Sequence, residues 1–184
     1  MVDSQEIETA VLAGGCFWCL EAVFQQTKGI ITVQSGYTGG HVTDPNYYQI
    51  CTGTTGHAEV VQVTYNSNEL TYVNLLEIFF EIHDPTTLNQ QGPDIGTQYR
   101  SAIFYLNETQ KTLSQEFISN LDATGKYNNH IVTEVVPLEI FYPAEDYHND
   151  YYKLNTFQPY CQFIIEPKLL KFKKTFAEKH IDSK

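Results

Sequence analysis

The sequence predicts an α+β fold in two layers. Strand and helix patterns are mixed without regular alternation, no repeat or linker divides the chain, and 42% hydrophobic with 14% aromatic residues can fill one core. At 184 residues a single catalytic domain spanning 1–184 is expected, with a flexible N-terminus at 1–8 and a basic helix or tail at 168–184.

The elements follow in order. An apolar run from Thr9 to Leu12 leads through Gly14-Gly15 into Phe17, Leu20, Val23 and Phe24 at helical spacing, so strand, tight turn and helix are predicted. A strand over Ile30 to Gln34 should end in a loop, Ser35 to Gly40, too glycine-rich for an element interior. Asp44-Pro45-Asn46 can start a short helix carrying Tyr47, Tyr48 and Cys51. His57 to Tyr65 is the clearest strand, and Thr71 to Ile82 an amphipathic helix stopped by Asp84-Pro85. Thr86 to Tyr99 reads as a long polar loop delivering Asp94, Gln98, Tyr99 and Arg100 ahead of a strand, Ser101 to Leu106. Asn107 and Gln110 resemble a capping pair for a helix that ends before Gly125. Strands are expected over Ile131 to Val136 and Leu138 to Tyr142, an irregular segment around Pro159-Tyr160-Cys161, and a basic amphipathic helix from Lys168 to Phe176.

Charge and cysteine usage narrow the chemistry. A net charge of −11 argues against nucleic acid as the main partner, although Lys168, Lys171, Lys173, Lys174, Lys179 and Lys184 gather six of the eleven basic residues near the C-terminus. No secretory signal or membrane-length apolar run is visible, so a cytoplasmic protein with no membrane association is expected. In a reducing compartment four cysteines read as chemistry, not staples, and they can pair in three ways. The acids and histidine of Ala144 to Tyr152 lack a second spaced histidine or a cysteine pair, so no metal is expected, and no cofactor.

Cys16 is the candidate nucleophile. In the first turn of a helix, backbone N–H groups and the helix dipole favour a thiolate, and Phe17 and Trp18 place aromatic walls beside it. A buried cysteine packed in an apolar helix is the plainer alternative; the glycine turn and a second cysteine at Cys19 count against it. Glu59 shares a strand face with Val61, Val63 and Tyr65, where burial would keep a carboxyl protonated near neutral pH and able to donate. If the strand begins after Glu59, the carboxylate is merely exposed at its end.

Four ordered motifs, Gly14-Gly15-Cys16-Phe17-Trp18, Gly36-Tyr37-x-Gly39-Gly40, Thr55-Gly56-His57-Ala58-Glu59 and Gly96-Thr97-Gln98-Tyr99-Arg100-Ser101, resemble the A-type peptide methionine sulfoxide reductases. The resemblance covers about Thr9 to Cys161 and implies a ferredoxin-like βαβ core with long wrapping coils. It implies that Cys16 attacks the sulfur of methionine-S-sulfoxide, free or in oxidised proteins, and becomes a sulfenic acid. Phe17 and Trp18 would hold the substrate methyl group, Glu59 would carry a proton to the oxygen with Tyr47 and Tyr99 assisting, and Asp94 would order water or substrate. Thioredoxin is the implied reductant, and an open pocket on a monomer is expected.

The chain departs from the commonest family pattern in having Cys19 where many relatives have glycine, and a lysine-rich tail where some carry a further cysteine. Cys161 matches the usual resolving position and is the first choice, Cys19 the second, with a relay of all three also open; Cys51 is expected to be a spectator. The alternative function is a thioredoxin-like thiol–disulfide oxidoreductase using Cys16-x-x-Cys19, and a tyrosine-rich peptide-binding module is a non-enzymatic one.

Overall fold

The computed structural model describes residues 6–179. Residues 1–5 and 180–184, including Lys184 and most of the expected flexible N-terminus, lie outside the described residues. Its strands are β1 (Ile7–Gly14), β2 (Ile30–Thr38), β3 (Ala58–Asn66), β4 (Gln90–Gln91), β5 (Asp94–Ile95), β6 (Ser101–Tyr105), β7 (Glu134–Pro137) and β8 (Tyr142–Pro143). Its helices are α1 (Phe17–Phe24), α2 (Tyr47–Cys51), α3 (Tyr72–Ile82), α4 (Glu108–Ala123), α5 (Tyr151–Leu154) and α6 (Glu166–Thr175).

Six strands form one sheet in the order β7-β6-β1-β3-β2-β8, antiparallel throughout except at β6–β7, while β4 and β5 make a separate small hairpin. Strand alternation sorts the two faces. Ala10, Leu12, Val61, Val63, Tyr65 and Ile103 point to the side where α1, α3 and α6 supply Phe17, Leu20, Phe79 and Phe172. Val11, Ala13, Val60, Ala102 and Phe104 point to the other, where Leu138 and Phe141 close a smaller core. Glu59 has the parity of Val61 and Val63, so its carboxyl is committed to the helical face.

Helix starts follow local capping chemistry. Thr71, Asn107 and Asn46 each accept the third-residue amide of the helix they precede. Asn46 and Gln49 form a full capping box on α2, which makes a five-residue helix stable enough to present Tyr47. Helix α1 is buried on nearly every side, with Trp18 half-buried, because the sheet lies under it and segments from the C-terminal part of the chain pack over it.

Several expectations are corrected. The glycine-rich stretch at Ser35 to Thr38 is not a loop but the end of β2, paired with β3 on one side and β8 on the other. Gly36 is required there, since a Cβ would lie 2.4 Å from the Phe141 ring and 2.6 Å from the Tyr142 carbonyl oxygen. The strand expected at Ile131 to Val136 starts later, at Glu134, and the next is only Tyr142–Pro143. Thr86 to Tyr99 is not a featureless loop: it folds as the β4–β5 hairpin and a 3-10 turn at Thr97–Tyr99. Ile7 and Glu8 are strand residues rather than a flexible lead. Cys161 lies not in irregular chain but in a π-helical turn, Cys161–Ile165, that runs into α6, and its side chain is fully buried.

Candidate active site

The turn between β1 and α1 sets the centre of the site. Gly15 has φ +94°, a conformation that favours glycine, and a Cβ there would meet the Gln91 side chain at 2.6 Å. Cys16 follows as the N-cap of α1, not in its first turn, with extended backbone. Its side chain is only 7% exposed.

From β3, Glu59 reaches under the same helix start, and the Phe17 amide donates to its Oε1 at 3.1 Å. The carboxyl is 1% exposed, and burial is the main reason its pKa is pushed up to about 8, with the Asp94 charge adding and the Phe17 amide opposing. The Cys16 and Glu59 side chains are close enough for each to perturb the other's titration. The expected thiolate is corrected: burial pushes the Cys16 thiol well up, and its hydrogen bond with Cys19 and the Glu59 charge add to that. Desolvation outweighs the N-terminus of an eight-residue helix. Cys19 is the more acidic partner, lowered to about 7, chiefly because the Cys16 thiol hydrogen-bonds to it, with the Lys168 charge and the Tyr160 hydroxyl helping.

Tyr47 from α2 and Tyr99 from the 3-10 turn complete the polar side. Burial and the Glu59 charge push both phenols up, and Tyr99 also feels the Cys16 charge, so both are hydroxyl donors at neutral pH. The Cys51 charge also pushes the Tyr47 phenol up, so the expected spectator lies near a site residue. Asp94 accepts from the Tyr160 hydroxyl at 2.6 Å, and that oxygen lies 3.8 Å from the Cys19 sulfur.

Phe17 and Trp18 form the apolar side, their ring centroids 6.4 Å apart. Phe17 packs on Tyr37, the cross-strand partner of Glu59. Trp18 is stacked on Tyr151 at 3.7 Å, meets Tyr160 edge-on at 5.8 Å, and donates from Nε1 to His148 Nδ1 at 3.0 Å. Tyr151 and Tyr160 pack against Trp18, and Cys16 is nearly covered rather than lying in the expected open pocket.

Of the residues singled out in the sequence, Cys16, Phe17, Trp18, Cys19, Tyr47, Glu59, Asp94 and Tyr99 converge here. Cys161 sits behind them, close enough that the Cys19 charge, after burial, pushes its thiol up. All four cysteines are free thiols. Sequence reasoning missed Glu21, Glu145, His148, Tyr151 and Tyr160. For Glu145, His148 and Tyr151 the signal was the density of acids, tyrosines and histidine in Ala144 to Tyr152, considered there solely as metal ligands; Glu21 and Tyr160 lie outside that stretch. Among the described residues no cluster of three His, Cys, Asp or Glu side chains is placed to hold a metal ion.

A thiol against a buried acid, two phenols and an aromatic wall is an arrangement for moving oxygen between sulfurs. A family model for peptide methionine sulfoxide reductase matches residues 8–180. The chain belongs to the peptide methionine sulfoxide reductase family. Among its relatives, the peptide methionine sulfoxide reductase MsrA of Saccharolobus solfataricus is 54% identical over 173 residues, 94% of this chain and 97% of the relative. The crystal structure of Mxr1 from Saccharomyces cerevisiae in reduced form superposes with a TM-score of 0.80 at 35% identity, covering 88% of this chain and 92% of that one. Mxr1 in complex with Trx2 matches at a TM-score of 0.57 and 25% identity, over 82% and 88% of the two chains. As a peptide methionine sulfoxide reductase, this enzyme reduces methionine sulfoxide.

Proposed function

We propose that the reductase acts on the S epimer of methionine sulfoxide, free and in oxidised proteins, through a sulfenic acid on Cys16. The observation that carries this reading is the buried Glu59 carboxyl held at 3.1 Å by the amide of Phe17, the residue directly after Cys16, with its pKa pushed up to about 8. The Cys16 sulfur attacks the sulfoxide sulfur while Glu59 passes its proton to the oxygen, with the Tyr47 and Tyr99 hydroxyls donating to that oxygen as charge develops. The thiol proton returns to Glu59. Oxygen ends on Cys16 as sulfenic acid, methionine leaves, and Cys16 has supplied two electrons. Phe17 and Trp18 hold the methyl group, and Asp94, tied to Tyr160, orders the polar rim.

A second thiol then condenses with the sulfenic acid, releasing water and forming a disulfide. The family resemblance favoured Cys161; the Cys19 amide's 3.1 Å bond to the Cys16 carbonyl, which keeps the two residues within one turn, and the lowered Cys19 pKa support Cys19 as the first resolving thiol. Cys161, beside Cys19, then takes over the bond, which frees Cys16 for a second turnover. Thioredoxin is the reductant we assign, by analogy with the Mxr1 relative held in complex with Trx2.

We read residues 1–184 as one catalytic domain acting as a monomer in the cytoplasm, without cofactor. No helix among the described residues is long and apolar enough to cross a membrane. The β6-β1-β3-β2 order, with α1 and α3 as the crossovers, supports the ferredoxin-like reading of the core. The test is reduction of separate S and R epimers of N-acetylmethionine sulfoxide with dithiothreitol. S-selective turnover abolished in Cys16→Ser is expected; R-selective turnover would overturn the reading.

A further inference from the structure

We propose that His148 is a positioning residue for the methyl pocket: its imidazole, in the tautomer with hydrogen on Nε2, fixes the Trp18 indole in place as one wall. The inference rests on Phe17 and Trp18 being that pocket. An indole N–H can only donate, so the 3.0 Å contact between Trp18 Nε1 and His148 Nδ1 requires a lone pair on Nδ1. The hydrogen of a neutral ring must then sit on Nε2. Glu145 Oε2 lies 4.0 Å from Nε2 and its charge favours a hydrogen there.

Packing makes the assignment consequential. The imidazole is fully buried, with ring centroids 4.9 Å from Phe17, 5.7 Å from Trp18, 4.4 Å from Tyr47 and 4.2 Å from Tyr147. One ring therefore touches both walls and the Tyr47 phenol. On its other side Trp18 lies on Tyr151 at an interplanar angle of 5°. Stacking fixes the plane of the indole but lets it slide and turn within that plane; the bond to Nδ1 removes this freedom. Tyr151 is itself anchored, because its amide donates to the buried Glu21 carboxyl at 3.2 Å. Glu145 holds the other end of the segment, accepting from the Tyr37 hydroxyl, the Tyr47 amide and the Tyr147 hydroxyl. Burial pushes the His148 pKa down, which keeps Nδ1 free to accept.

The experiment uses the full chain with dithiothreitol as reductant and N-acetylmethionine-S-sulfoxide as substrate. Trp18 is the only tryptophan, so its emission reports the wall directly. His148→Leu is expected to raise KM about tenfold with a smaller change in kcat, to shift Trp18 emission, and to leave Cys16 alkylation unchanged. His148→Asn, whose amide oxygen can replace Nδ1 as acceptor, should recover most of the loss. In a Trp18→Phe background, His148→Leu should add nothing. Wild-type KM and emission in His148→Leu, or full additivity with Trp18→Phe, would overturn the inference. Should Trp18→Phe itself leave KM unchanged, the pocket reading fails instead. Independently of any variant, ¹⁵N spectra of the folded protein should show His148 protonated on Nε2 alone at neutral pH. A proton on Nδ1 would contradict it.

Discussion

The amide of Phe17 donates to the Glu59 carboxyl across 42 residues of sequence, at 3.1 Å. Because Phe17 directly follows Cys16, this one bond brings the Glu59 carboxyl close to Cys16, held by main chain at a helix start and by a central strand. The bond favours the ionised carboxyl, yet burial outweighs it and the pKa stands at about 8.

Glu59→Gln should therefore lower the single-turnover rate of methionine formation by roughly 10²–10⁴-fold, with Cys16 still alkylatable. In the wild type, that rate should fall on the alkaline side, as pH rises through about 8 and Glu59 loses its proton. The pKa is raised in the folded state, so the folded protein binds more protons. The associated stability is fully present below the unfolded value near 4.5 and lost as pH rises through about 8. Glu21, raised to about 7 mainly by burial, acts in the same sense. Thermal melts from pH 5 to 9 should fall in the wild type and fall less in Glu59→Gln; identical slopes would count against a buried acid.

Gly15→Ala should destabilise the fold and slow catalysis together. It forces a left-handed backbone worth about 1–2 kcal/mol and drives a methyl group into Gln91, whose side chain accepts from the Asp84 amide and donates to the Asp84 carbonyl. Chemical denaturation and kcat/KM measured on the same sample check this; loss of neither would show that the turn can relax.

Asn46→Ala removes the N-cap of α2 and should cost about 1 kcal/mol. Because Tyr47 is the first residue of that helix, kcat should fall more than this small destabilisation explains. Asn46→Asp, which keeps the cap, should restore it.

The resolving step separates by stoichiometry. Without reductant, a relay from Cys16 through Cys19 to Cys161 should release two methionines per wild-type chain and one in either Cys19→Ser or Cys161→Ser. Disulfide mapping should find Cys16–Cys19 in Cys161→Ser. A Cys16–Cys161 bond forming at the wild-type rate in Cys19→Ser would place Cys161 first.

Much of this was legible in the sequence because it is local. Alternation in β3 put Glu59 on the apolar face, Asn107 with Gln110 announced a helix as a capping pair, and Asp44-Pro45-Asn46 announced the start of another. What escaped depends on long-range packing. The Ser35 to Thr38 stretch looked too glycine-rich for a strand because its partners, β3 and β8, come from distant segments, and Gly36 exists to let Phe141 approach. The thiolate expected at Cys16 followed from helix-end electrostatics, and its desolvation by burial could not be read from spacing. His148 was invisible as a support for Trp18 because they are 130 residues apart.

The central claim is that Cys16 itself takes the sulfoxide oxygen. It is tested most directly by mixing a Cys19→Ser/Cys161→Ser variant with one equivalent of methionine-S-sulfoxide in the presence of dimedone, without reductant. One methionine should appear per chain, with a single dimedone adduct on Cys16. Methionine released with Cys16 unlabelled, or no methionine at all, would contradict the account.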